Sequence, residues 1–138
     1  MCSRSLCAAT GLVAFLLAGC HQIQNDFNDF LTKHQNHREA SHVWRDCHTA
    51  YRDQVYYIYD FGDGFRAGYA QILGGGGPCP PTLPPEKYWY IKYQTPAGRE
   101  RIDAWFSGHE AGVATALQDG VQDGNRIPLS PYRRAQLQ

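Results

Sequence analysis

Four histidines, His34, His37, His42 and His48, fall within one fifteen-residue stretch, and imidazoles three or four residues apart on a helix can share a metal ion. Their actual spacings of three, five and six residues do not give that register. Neither His-Glu-x-x-His nor Cys-x-x-Cys accompanies them, so a solvated polar face accounts for them better, and no metal or other cofactor is expected. Cys47-His48 lacks the Cys-x-x-Cys-His order of covalent haem attachment. Ser107, His109 and Asp103 supply the residue types of a hydrolytic triad. No Gly-x-Ser-x-Gly turn presents the serine, however, and an offset of two on a helix points Ser107 and His109 apart. The acid pairs Asp60 with Asp63 and Asp119 with Asp123 suit capping and solubility. No residue is assigned a catalytic role, and the chain is read as non-enzymatic.

The cysteines offer more. Arg4 supplies a thin positive region, Gly11 to Leu17 an apolar one, and Ala18-Gly19 the small residues that let a peptidase approach. The apolar run is shorter than the roughly 20 residues that span a bilayer. Leu17-Ala18-Gly19-Cys20 resembles the lipobox of bacterial lipoproteins. That resemblance implies that residues 1–19 are an export signal and that the Cys20 thiol carries diacylglycerol. Acyl chains bury about 0.8 kcal/mol per methylene, which makes such an anchor effectively permanent without a transmembrane helix. His21, rather than an aspartate, follows the cysteine, which by similarity to enterobacterial sorting implies delivery to the outer membrane, facing the periplasm. After acylation Cys47 and Cys79 are left. In an oxidising compartment they either form a bridge, worth about 3–4 kcal/mol for a loop of this length, or lie apart as free thiols.

Tyr88, Trp89, Tyr90 and Tyr93 form the third grouping. Beside a proline-rich loop they make either a stacking platform for a glycan or peptide, or a plug for a gap between helices; a small domain needs large apolar side chains for the latter. On an extended segment, Trp89, Ile91 and Tyr93 would share one side and Tyr88 and Tyr90 the other.

The elements that must position these residues are mainly helical. Residues 20–37 are polar and read as a tether with at most a transient helical turn. Apolar positions from Val43 to Tyr59, and on through Phe61, Phe65, Tyr69, Ile72 and Leu73, recur at spacings of three and four. One bent helix or two successive ones fit Ala40 to Leu73, with Gly62 and Gly64 as weak points. Gly74 to Gly77 and five prolines between Pro78 and Pro85 impose an extended connection, and Lys87 to Gln94 is a short aromatic extended piece or ordered loop. Thr95-Pro96 is a helix start, and a second helical region runs from Pro96 to Asp119, closed by Gly120. The fold class is therefore mainly α, a single small domain over 38–130 of two helical regions joined by a Gly/Pro-rich connection, with a flexible tail at 131–138.

Sliding the chain by 44 residues lays Phe61 to Gly76 over Trp105 to Gly120 with six identities in sixteen positions. Both copies hold Gly-x-x-x-Gly, at Gly64 and Gly68 and at Gly108 and Gly112, which clears a helix stripe for close backbone approach. These four are read as helix-packing glycines.

The ordered string Phe61-x3-Phe65-x2-Gly68-Tyr69, Gly76-x2-Cys79-x-Pro81-x2-Pro84-Pro85-x2-Tyr88-Trp89, Tyr93, Gly98, Trp105-Phe106-x-Gly108-x3-Gly112, Asp119-Gly120 and Ile127-Pro128-x-Ser130 resembles a family of secreted proteins and lipoproteins seen chiefly in planctomycete bacteria. No activity or catalytic residue belongs to that family's pattern, so the resemblance implies none here, and His109 stands where an aromatic is expected.

With thirteen basic and thirteen acidic residues the chain has zero formal charge, which gives no electrostatic reason to expect nucleic acid. The expected partners are the membrane, through Cys20, and an envelope protein or glycan.

Overall fold

The computed structural model describes residues 3–124 and is mainly helical, with no strand among the described residues. In order come α1 (Ser3–Arg52), α2 (Ile58–Leu73), α3 (Pro96–Gln118) and the single turn α4 (Val121–Gly124), with 3-10 turns at Glu86–Tyr88 and Ile91–Tyr93 in the α2–α3 connection. The expected tail at 131–138 lies outside the described residues.

By its contacts the chain divides into two units between Gln35 and Asn36. In the first, the stretch read as a polar tether is instead part of α1. From His21 to Arg52 no glycine or proline interrupts it. Local pairs support it: Lys33 with Asp29 at 2.7 Å, and Thr32 Oγ1 donating to the Asn28 carbonyl at 2.9 Å. No helix among the described residues is long and apolar enough to cross a membrane.

In the second unit, α1 ends at Arg52 and α2 begins at Ile58. The break thus falls at residues 53–57, not at Gly62 or Gly64. Those glycines stay helical because both are needed for packing. A Cβ on Gly62 would lie 2.7 Å from the Trp44 indole, and one on Gly64 only 1.9 Å from the Trp105 carbonyl oxygen. Trp44 and Tyr51 of α1 pack on Phe61 and Phe65 of α2, with ring centroids 4.9 to 6.2 Å apart. Ala40, Tyr69, Ile72, Val113 and Ala116 complete this core.

The α2–α3 crossing is a reciprocal fit of carbonyls over glycines. A Cβ built on Gly64 would meet the Trp105 oxygen, and one on Gly108 the Phe61 oxygen at 2.0 Å. One turn further, Gly68 faces the His109 oxygen at 2.1 Å and Gly112 the Phe65 oxygen at 2.0 Å. Partner numbers rise together, so the two helices run parallel, with residue i opposite residue i+44. The repeat in the sequence is therefore a local two-fold relation between α2 and α3, and such contacts suit Cα–H···O interactions. Parallel neighbours need a long return path, which residues 74–95 supply. Gly75, at φ +78°, turns the chain out of α2, and the proline-rich stretch up to Pro85 carries neither helix nor strand.

At the start of α3 the Thr95 hydroxyl accepts the Gly98 amide at 3.1 Å, with Pro96 in the first turn. This is the cap read from Thr95-Pro96. Gly98 itself sits against the Tyr93 backbone, where a Cβ would come within 2.4 Å.

Candidate interaction surface

The connection is built around Tyr88 and Tyr93, which are 2% and 7% exposed and meet at 4.9 Å in an edge-on arrangement. They form a second core with Trp105, flanked by Ala67, Ile102 and Phe106. The expected period-two alternation is wrong. Residues 86–93 are two 3-10 turns, so the buried pair is five residues apart. The intervening Trp89, Tyr90 and Ile91 point outward at 55%, 66% and 82% exposure. Of the four aromatics proposed for binding, Tyr88 and Tyr93 are thus core residues, and only Trp89 and Tyr90 are available to a partner.

Asp60, in the first turn of α2, ties this loop down. Its carboxylate is buried and accepts the Tyr88 hydroxyl at 2.8 Å and two Arg101 donors, Nε at 2.7 Å and Nη2 at 3.3 Å. One side chain thereby joins α2, the connection and α3. The capping and solubility role expected for Asp60 is corrected: it is a buried junction, and a helix start favours its negative charge. Burial, followed by the hydrogen bond to Asp60, pushes the Tyr88 phenol far up, and the separate hydrogen bonding of Arg101 to Asp60 raises the guanidinium. Asp63 pairs with both Arg66 and Lys87, and Lys87 also lies 4.7 Å over the Tyr88 ring. Trp89 Nε1 donates to the Pro84 carbonyl at 3.0 Å, which orients the indole without burying it.

The remaining candidates do not converge. Ser107 and Asp103 are exposed while His109 is buried, and the nearest polar partner of His109 is an amide, Gln71 Oε1 at 3.1 Å, not a carboxylate. Asp119 accepts the Tyr69 hydroxyl at 2.9 Å; with burial as the main cause, that phenol is pushed up to about 12. Cys47 and Cys79 are free thiols, Cys47 part-buried and Cys79 exposed on the connection, and no bridge joins them. Burial pushes the Cys47 thiol up. Among the described residues no group of three or more histidines, cysteines and acids could hold a metal. His37, His42 and His48 line an open groove with arginines rather than with acids.

Asp60, Arg101 and Gly98 escaped the sequence reading as a unit. The one available signal was the density of tyrosines in the connection, because a buried phenol needs a polar partner. No family model, curated protein or solved structure matches the chain.

Proposed function

We propose that this chain is a lipid-anchored bacterial envelope protein that works by interaction rather than by catalysis. In this reading residues 1–19 export it and Cys20 anchors it, at the outer membrane facing the periplasm. The α2–α3 body presents Trp89, Tyr90 and Ile91 to a partner. The observation that carries the reading is the contrast within six residues. Tyr88 and Tyr93 are locked into the core while the four side chains between them, Trp89, Tyr90, Ile91 and Lys92, stand in solvent. Large apolar side chains exposed together on an ordered segment mark contact sites, and their fixation by buried neighbours lowers the ordering cost of binding.

Two measurements test it. Mass spectrometry of membrane-extracted protein should find Cys20 as the mature N-terminus, carrying acyl chains; a chain starting at Met1 would refute the anchor. A photo-crosslinker at position 90 should capture an envelope component that one at the exposed Glu110 does not, and equal labelling at both positions would refute the contact surface. A glycan or peptide module is the second reading, favoured by the exposed Trp89 and Tyr90 rings. Under it Trp89→Ala removes glycan retention on immobilised cell-wall sugars without changing the melting temperature.

A further inference from the structure

A groove of about 490 Å³ runs along the second unit between the C-terminal part of α1 and α2. Arg38, Ser41, Trp44, Arg45 and His48 of α1 and Arg66 of α2 are among the residues that line it. It continues into a depression of about 560 Å³ that shares Trp44, His48 and Arg66 and adds Arg52. Arg38, Arg45 and Arg52 recur at intervals of seven residues, two helical turns, so they stand in one row on α1. The acids of that segment, Glu39 and Asp46, each follow an arginine directly and so stand about 100° round the helix from the row. The acid that lines the depression, Asp63, is already held by two cations, Arg66 and Lys87. Among the described residues Arg38 and Arg52 have no carboxylate partner.

A solvated helix face normally interleaves signs, with acid and base at i and i+4. Here a chain of zero net charge places four of its ten arginines along one open groove. Guanidinium groups are planar forks that bind phosphate oxygens bidentately. Arg38 and Arg45 beside the Trp44 ring give charge and geometry together. We propose that this groove binds a phosphate group, with Arg38 and Arg45 holding its oxygens beside the Arg66–Asp63 pair. The source is either a soluble phosphate or a lipid headgroup, and the site is independent of the Trp89–Ile91 surface.

Calorimetric titration of the full-length protein in neutral detergent with inorganic pyrophosphate, at constant ionic strength, tests the soluble source. The same protein in phosphatidylcholine vesicles with and without phosphatidic acid, read by the emission that Trp44→Phe removes, tests the lipid source. In at least one arm a saturable response is expected that Arg38→Gln/Arg45→Gln weakens at least tenfold and the exposed Arg99→Gln leaves unchanged. Both groove arginines are exposed, so an unchanged melting temperature shows that the double variant remains folded. A pyrophosphate isotherm alone assigns a soluble ligand, and an emission change that requires phosphatidic acid assigns a headgroup. No response in either arm, equal responses of parent and double variant, or a response to acetate equal to that to pyrophosphate overturns the proposal.

Discussion

Replacing Gly68 or Gly112 by alanine adds one methyl group, and the structure places it against a backbone carbonyl. The new Cβ would lie 2.1 Å from the His109 oxygen or 2.0 Å from the Phe65 oxygen, where ordinary contact begins at 3.4 Å. A carbonyl inside a helix cannot rotate away, so the helices must part by more than an ångström. Alanine gains about 0.8–1 kcal/mol of helix propensity over glycine. Overpacking costs about 1–3 kcal/mol, and a gap of 0.5–1 Å forfeits roughly a quarter to a half of each dispersion contact along the seam. The seam spans Phe61 to Gly68 on α2 and Trp105 to Gly112 on α3, so the loss outweighs the gain, by about 2–4 kcal/mol net. For a domain of this size that lowers the melting temperature by on the order of 10–20 °C. Thermal melts followed by circular dichroism measure it. Gly77→Ala is the control, because nothing lies within 4 Å of a Cβ there; it should be neutral or raise stability by several tenths of a kcal/mol. The double variant Gly68→Ala/Gly112→Ala should cost less than the sum of the singles, since helices already parted accommodate the second methyl. If either single variant melts at or above the parent, the close parallel crossing is wrong.

Asp60→Ala strips the partners from Tyr88 and Arg101 and should cost about 2–4 kcal/mol, the penalty for orphaning a buried hydroxyl and a half-exposed guanidinium. Asp60→Asn keeps one acceptor and should cost about half as much in urea titrations; equal costs would show that charge and hydrogen bonding are not separable there. In native protein without reductant both thiols should alkylate, exposed Cys79 well before part-buried Cys47, whose raised thiol slows it further. A Cys47–Cys79 peptide pair in a non-reducing digest would refute this.

The helical face from Val43 to Leu73, the Thr95-Pro96 start and the Gly-x-x-x-Gly pairs were legible because each is a local signal with one physical cause. The α1–α2 break was not. Nothing in Asp53 to Tyr57 is a strong helix breaker, whereas Gly62 and Gly64 are weak helix formers, and their value appears only when Trp44 and Trp105 arrive from elsewhere in the chain. Strand propensity misled for Lys87 to Gln94 in the same way: the rings that suggested alternation are pinned by Asp60 and Gly98, contacts 28 and five residues distant. The polar stretch before His37 was read by composition, which underrates a run free of glycine and proline. Of the ordered string of aromatics and glycines read from the sequence, Phe61, Phe65, Gly68, Tyr88, Trp105, Gly108 and Gly112 lie in the two cores or the helix seam. Those members encode packing, whereas Cys79, Pro81, Pro85 and Trp89 of the same string are exposed.

His109 stands where the 44-residue relation places it opposite Phe65, and it is 1% exposed. The Gln71 amide nitrogen donates to the carbonyls of Gly77 and Cys79, so its oxygen is turned to the imidazole, and His109 Nε2 must carry the proton it donates at 3.1 Å. His109 Nδ1 is then a buried acceptor with no hydrogen-bond partner. Burial lowers the pKa of His109 below its ordinary 6.5, outweighing the opposing charge of Glu110. The folded protein therefore holds a neutral ring, while the unfolded chain takes up a proton as the pH falls through about 6.5. The unfolded state binds more protons in that window, so stability is full above it and declines as the pH falls, by at most about 1.36 kcal/mol per pH unit, until the depressed folded pKa is reached. His109→Phe copies Phe65 onto α3 and removes the titration. Any packing strain from the larger ring is independent of pH, so the slope, not the absolute stability, is the measure. Urea titrations between pH 8 and pH 5 should show the parent losing stability relative to His109→Phe below about pH 6.5, with parallel curves above. Curves that stay parallel throughout would mean that the folded ring takes up its proton as readily as the unfolded chain does, and would refute the buried neutral imidazole.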